Sequence, residues 1–329
     1  MSLTKSTEKV RSAVNKDRFK GKRFFLTGGT GFFGKSILDM VKRGFAENSS
    51  FTILSREPDA FLRQNPCFAG MDHVTFHRGD IRDFEFPACE FDCLIHAATP
   101  AVTTLAPGEM RSIILEGTER ILAFARQCKA QRLLFVSSGA VYGPQPEWCE
   151  NLAEDFPCAP VTEYGIAKLE AEKMCLNSGV ECVIARCFAF IGPYLNLDIH
   201  FAAGNFLGDC LRKKDIIIKG DGTPLRSYLY ADDLVEWLFA ILEKGRAGEA
   251  YNVGSPQGIS ISALAKEMAS HFEPAPAVRI MERAVPGRAP AQYVPDVSKI
   301  GKELGVSIKV PLSEAITLCK KFHLEHRDF

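Results

Sequence analysis

From residue 22 onward, short and almost wholly apolar runs alternate with longer stretches in which apolar residues recur every three or four positions. Apolar runs bounded by turn residues read as strands buried on both faces, and the longer periodic stretches read as helices with one buried side. On this reading strands fall at 23–26, 51–54, 73–77, 93–96, 132–136 and 181–186, and helices at 35–44, 109–129 and 162–177. In the helix at 109–129, Ile113, Leu115, Ile121, Leu122 and Phe124 fall on the buried side. Strand and helix in alternation predict βαβ units and a parallel sheet, with the loops after each strand gathered along one edge. After Gly192 the pattern loosens. A loop is expected at 193–205, helices at 206–213, 234–243 and 262–272, and a short strand at 216–218. The proline-rich stretch 273–295 reads as a lid or connecting loop. Residues 1–20 are charged and read as a short surface helix or a frayed extension.

Composition narrows the class without naming a reaction. The chain has 329 residues, 46% of them hydrophobic, enough for a packed α/β core with a smaller lobe. Lys plus Arg equals Asp plus Glu, at 40 each. A balanced charge gives no electrostatic case for nucleic acid or an anionic membrane, so any anionic ligand needs a local cluster. The eleven cysteines are scattered without a CxxC pair, which fits reduced thiols and no metal. Without a membrane-length apolar run or a signal-peptide core, a soluble cytoplasmic protein is expected.

The first chemistry lies at Thr27-Gly28-Gly29-Thr30-Gly31-Phe32-Phe33-Gly34. Glycines there permit positive φ and close approach of backbone to a pyrophosphate, which sits on the N-terminus of the next helix. Such a turn is a weak signal alone, but here it follows a strand and opens a helix. The expected fold is therefore a Rossmann-type doubly wound parallel sheet with a smaller C-terminal lobe. Candidate cofactor contacts are Gly28, Thr30, Gly31, Phe32, Phe33 and Gly34. The second strand ends in Ser55-Arg56 where an acid would hold the ribose hydroxyl of NAD. That pair suits a 2′-phosphate and favours NADP(H), with NAD(H) possible; the alternative is that Arg56 stacks on adenine or is solvated. Asp80, before Ile81, is placed to accept from the adenine amino group or to cap a helix. Ala97, Ala98 and Thr99 are small enough to let backbone pass a cofactor, and His96 reads as structural rather than catalytic.

Ser138, Tyr164 and Lys168 turn binding into a reaction. Tyr164 and Lys168 stand at i, i+4 on one helix, so both side chains share a face. A nearby ammonium favours the phenolate and lowers the tyrosine pKa toward a value useful for acid–base work. Ser138, at the end of the fifth strand, is placed to hydrogen-bond the substrate oxygen. Such a triple points to hydride transfer at a carbinol or keto carbon.

With these residues in view, the chain resembles an extended short-chain dehydrogenase/reductase of the nucleotide-sugar epimerase/dehydratase family, over residues 22–320. The likeness is carried by the glycine turn, Gly79–Asp83, His96–Ala98, SSGAVYG at 137–143, Tyr164/Lys168, RCFAFIGP at 186–193, GDGTPLRSYLYADD at 220–233 and YNVGS at 251–255. The resemblance implies a dinucleotide-binding domain at 21–190. It makes 191–329 mainly a substrate lobe, with segments returning to the first domain. It further implies a nucleoside-diphosphate-sugar substrate and a homodimer built through a four-helix bundle. It makes Arg226 a candidate for the substrate diphosphate, Arg288 a second, and Ser138 a substrate contact.

Departures from the family pattern choose among reactions. Family dehydratases resemble one another in an Asp-Glu pair just after the catalytic hydroxyl, decarboxylases typically carry a glutamate at the second place, and 3,5-epimerising reductases a cysteine. Here those places hold Gly139 and Ala140. The site is therefore expected only to oxidise or reduce one carbon. Ser55-Arg56 tilts the reading to an NADPH-dependent 4-keto-6-deoxy-sugar reductase. A 4-epimerase with recycled cofactor is the alternative, and a non-catalytic NADP(H) sensor is an alternative of another class. Ile114, where the family often has asparagine, and Val285, where many epimerases have arginine, leave the sugar open.

Overall fold

The structure is a computed structural model that describes residues 16–100, 105–106, 108–198, 201–287 and 289–326. In chain order the first half consists of β1 (Arg23–Thr27), α1 (Phe32–Lys42), β2 (Ser50–Ser55), α2 (Pro58–Gln64), β3 (Val74–Arg78), β4 (Cys93–His96), α3 (Glu109–Gln127), β5 (Arg132–Ser138), α4 (Glu163–Leu176) and β6 (Cys182–Cys187). There follow β7 (Phe190–Ile191), α5 (Ala202–Leu211), β8 (Ile216–Ile218), β9 (Leu225–Arg226), β10 (Leu229–Tyr230), α6 (Ala231–Lys244), β11 (Ala250–Val253) and β12 (Ile259–Ser260). The last elements are α7 (Ile261–Ser270), β13 (Val278–Ile280), β14 (Gln292–Tyr293), α8 (Ser298–Leu304) and α9 (Leu312–His326).

A seven-stranded sheet in the order β11-β6-β5-β4-β1-β2-β3 forms the centre. Every neighbouring pair in it is parallel. The two-residue side-chain period explains the apolar runs. Phe24, Leu26, Leu134 and Val136 face α1 and α6, while Phe25, Leu133 and Phe135 face α3 and α4. Each fully buried side chain of this size contributes about 1.5–3 kcal/mol relative to exposure. The strand order reverses between β1 and β4, and the ends of these strands open a crevice there.

The smaller lobe has its own apolar cluster from α5, α7, α9 and β8, with Leu207, Ile216, Leu264, Met268 and Ile316 at its centre. Several expectations shift. α1 begins at Phe32 rather than 35, because its first turn is the end of the glycine turn itself. α5 begins at Ala202 rather than 206, and α6 at Ala231 rather than 234. Ile114 is buried in α3, whereas Leu115 is only partly covered. The stretch 273–295 is not a plain loop: β13 pairs with β8, and β14 pairs with β9.

Candidate active site

At the start of α1, local sterics account for most of the glycines. Gly28 has φ +73°, and a Cβ on it would lie 2.5 Å from the Ala97 carbonyl carbon. A Cβ on Gly29 would strike Ile53, and one on Gly34 would lie 2.1 Å from the Gly29 Cα. These three let strand, turn and helix close on one another. Gly31 is different: it is exposed and would meet nothing closer than 3.5 Å. It is the N-cap of α1, with no side-chain cap and no acid in the first turn. The leading amides thus face an open, uncapped end that fits an anion. Phe32 and Phe33 turn away from it and pack on Phe190, while Thr30 is partly covered.

Ser55 is buried at the end of β2, and Arg56 beside it is exposed, with no ion pair among the described residues. Asp80 is committed locally. It accepts from the Arg82 backbone N–H at 3.0 Å and from Arg82 Nε at 2.8 Å. The Arg82 guanidinium bonded to it holds its carboxyl below the usual carboxylate range. It caps no helix, and with Arg82 Nη2 on Oδ2 at 3.1 Å these bonds take three of its roughly four acceptor sites. Ile81 is buried in the core against α3, where a Cβ on Gly117 would lie 2.9 Å from it.

Behind Ala97 and Ala98 runs a buried chain of hydrogen bonds. Ala98 N–H donates to Thr27 Oγ1 at 3.2 Å, and Thr27 Oγ1 lies 2.7 Å from His96 Nδ1. His96 Nε2 lies 3.3 Å from Thr118 Oγ1, which donates to the Ile114 carbonyl at 2.6 Å. Since Thr118 spends its proton on Ile114, His96 donates from Nε2 and accepts Thr27 at Nδ1. Burial pushes the His96 pKa down to about 3, with the Lys168 charge acting the same way. His96 is thus a neutral strut between the strand ends and α3.

Ser138, Tyr164 and Lys168 converge from the end of β5 and one face of α4. Thr162 caps α4 through Gly165 N–H at 3.1 Å, which fixes where the helix starts. Ser138 Oγ accepts from Ala140 N–H at 3.2 Å. Lys168 Nζ donates to Thr99 Oγ1 at 2.8 Å and to the Val136 carbonyl at 2.9 Å. Burial pushes the Lys168 pKa down to about 8.

The phenol corrects an expectation. Burial raises the Tyr164 pKa above its ordinary value, and the neighbouring Ser138 hydroxyl pulls it the other way. The ammonium lies 5.9 Å from the Tyr164 ring centre and points its hydrogens at Thr99 and Val136. In this arrangement the counterweight to burial is the serine, not the lysine.

Two residues enter the crevice from the smaller lobe. Arg226 is partly exposed and donates to the Leu225 carbonyl at 2.7 Å. Its guanidinium stands 6.0 Å from the Tyr293 ring centre and forms no ion pair among the described residues. Tyr293 lies opposite Arg226 in the β9–β14 register and brings its hydroxyl to the side-chain space of Gly139. No periodicity marks it in the sequence, since it lies in the proline-rich stretch. A Cβ on Gly139 would lie 2.7 Å from the Tyr293 hydroxyl and 2.7 Å from Phe188 Cζ. The bareness of position 139 therefore has a cause: two aromatic rings occupy its side-chain space. Val285 is exposed, and Arg288 lies outside the described residues.

A dinucleotide turn at a switch point, with Ser, Tyr and Lys beside it, has relatives. Residues 24–254 match the NAD dependent epimerase/dehydratase family. The chain belongs to that family. It is similar to UDP-glucuronic acid decarboxylase 1 of Arabidopsis thaliana, 29% identical over 307 residues that span 89% of this chain and 68% of that protein. Its fold is similar to that of UDP-N-acetylglucosamine 4-epimerase from Methanobrevibacter ruminantium M1, with TM-score 0.81, 20% identity and coverage of 93% of this chain and 99% of that one. It is also similar in fold to RMD from Pseudomonas aeruginosa complexed with NADPH, with TM-score 0.76, 22% identity and coverage of 93% and 99%. Among the described residues no helix is long and apolar enough to cross a membrane, and no His/Cys/Asp/Glu group could hold a metal ion.

Proposed function

We propose that this family member is a nucleoside-diphosphate-sugar oxidoreductase that reduces a keto carbon of its sugar, C4 of a 4-keto-6-deoxy sugar, with NADPH. The observation that carries this reading is the convergence of Ser138, Tyr164 and Lys168 beside the side-chain-poor pair Gly139 and Ala140. The dinucleotide supplies or accepts hydride. Ser138 orients the substrate oxygen, Tyr164 gives it a proton, and Lys168 carries positive charge beneath the site. No ionisable side chain stands at 139 or 140 to move a second proton, which sets this site apart from elimination or decarboxylation chemistry even though several relatives are named UDP-glucuronic acid decarboxylases and one a dTDP-glucose 4,6-dehydratase.

The cofactor reading assigns the pyrophosphate to the turn at Gly28, Thr30, Gly31, Phe32, Phe33 and Gly34, with Asp80, Ile81, Ala97, Ala98 and Thr99 along its length. Ser55 and Arg56, which forms no ion pair among the described residues, are assigned to a 2′-phosphate; the NADPH complex of the similar RMD structure is consistent with this. Arg226 is assigned to the substrate diphosphate, and Arg288 is kept as a second candidate. The 4-epimerase reading has in its favour the similarity to the Methanobrevibacter fold. Self-association through α3 and α4 belongs to the same proposal, supported by exposed Ile166 and Leu176 on α4.

The test is incubation with UDP-, dTDP-, CDP- and GDP-sugars, including 4-keto-6-deoxy forms, while NADPH absorbance is followed. Loss of NADPH in proportion to product supports the reductase. Interconversion of sugars without net cofactor change would replace it by the epimerase.

A further inference from the structure

Beside the end of β2, where Ser55 and Arg56 stand, a second arginine takes the last position of β3. Arg78 is opposite Ser55 in the parallel β2–β3 register, and Gly79 N–H donates to the Ser55 carbonyl at 3.0 Å. The Arg78 guanidinium has three partners in the segment that begins at Arg56. Nη1 donates to the Arg56 carbonyl at 3.2 Å and to Glu57 Oε2 at 3.2 Å, and Nη2 donates to Asp59 Oδ2 at 2.6 Å. The side chains of Arg78, Glu57 and Asp59 are all more than half exposed, so these pairs add little to the stability of the fold. Their effect falls on a charge that arrives from solvent. Without Arg78, residues 56–59 would present one cation and two carboxylates to it. With Arg78, both carboxylates are paired, and Arg56 is the exposed cation without an ion pair among the described residues.

We propose that Arg78 is a positioning residue that selects for the 2′-phosphate of NADPH: it ties down Glu57 and Asp59 and holds the Arg56 backbone, so that Arg56 is free to meet the phosphate. The inference rests on the assignment of Ser55 and Arg56 to that phosphate. Charges on the residues just after Arg56 act on a phosphate bound there with little screening, since the Debye length is about 8 Å at physiological ionic strength. An unpaired carboxylate at 57 or 59 would repel the phosphate and offer Arg56 a partner in its place. The Arg78 fork occupies both carboxylates and adds a positive charge of its own. Its bond to the Arg56 carbonyl fixes the peptide from which the Arg56 side chain leaves. NADH carries a hydroxyl where NADPH carries the phosphate and gains none of this. Arg78 therefore acts on the difference between two cofactors, not on dinucleotide binding as such.

The test is fluorescence titration of the purified full chain with NADPH and with NADH, which requires no sugar. Arg78→Ala is expected to weaken NADPH about ten-fold and NADH by no more than about two-fold, and added salt should narrow the NADPH difference from wild type. Neutralising the carboxylates, Glu57→Gln together with Asp59→Asn, should strengthen NADPH binding more in the Arg78→Ala background than in the wild type. Equal weakening of both cofactors, which a merely structural role would give, overturns the inference. Equal gains from neutralisation in the two backgrounds overturn it as well. A wild type that binds NADH more tightly than NADPH removes the NADP reading of the site, while the change in the NADPH-to-NADH affinity ratio on Arg78→Ala still decides the role of Arg78.

Discussion

Along the turn from Gly28 to Gly34, each constraint acts between near neighbours or adjacent strands. Gly28 presses on Ala97 across the β1–β4 register, and Gly34 presses on Gly29. Across the crevice, Arg226 and Tyr293 come from two-residue strands of the smaller lobe that pair with each other, and Tyr293 reaches Gly139 only through tertiary packing. On the proposed reading the cofactor side is built from backbone with no spare volume, and the substrate side from long side chains. A backbone site tolerates almost no substitution. A side-chain site loses one interaction at a time.

Gly28→Ala should give the largest effect on the fold. Its Cβ would lie 2.5 Å from Ala97 backbone at φ +73°, which costs about 3–5 kcal/mol from overlap and left-handed strain together. Denaturant unfolding should show that loss, together with loss of NADPH binding by fluorescence. Near-wild-type stability would dissolve the contrast between the two sides. Arg226→Ala should leave stability and NADPH affinity unchanged and raise KM for a nucleotide sugar roughly 10- to 100-fold, from lost charge-assisted bonds of about 1.5–3 kcal/mol. A fall in NADPH affinity of similar size would show that the two sides are not separable.

A smaller effect tests the strut between the sides. His96 is held neutral, its pKa lowered from the ordinary 6.5 to about 3 by burial. The unfolded chain therefore binds the proton first, so stability is complete above pH 6.5 and is lost as pH falls toward 3. The full shift corresponds to a few kcal/mol. In His96→Gln the stability difference from wild type should shrink on acidification across that window. Parallel curves for the two proteins would mean that His96 does not titrate on unfolding.

What was legible in the sequence divides along the same line. Strands buried on both faces are apolar without interruption, so β1, β4 and β5 stand out, and the turn after β1 declares itself through glycine. Tyr164 and Lys168 were visible because one helix carries both. Tyr293 was not, because β14 is two residues long within a proline-rich stretch and has no periodicity of its own. The pairing of Asp80 with Arg82 was equally hidden, since a carboxylate after a strand looks the same whether it meets a ligand or a neighbour. The depressed tyrosine pKa expected from i, i+4 spacing failed for a related reason: spacing places Lys168 on the right face but does not say that Thr99 and Val136 take its hydrogens.

The central claim is that Tyr164 performs proton transfer in a redox reaction on a bound nucleotide sugar. Its most direct test is Tyr164→Phe, assayed for turnover of whichever nucleotide sugar the wild type converts and for NADPH affinity by fluorescence titration. The account predicts a fall in kcat of about 10²–10⁴-fold with NADPH affinity essentially unchanged. Turnover within a few fold of wild type would contradict it and leave a dinucleotide-binding sensor as the better description of the chain.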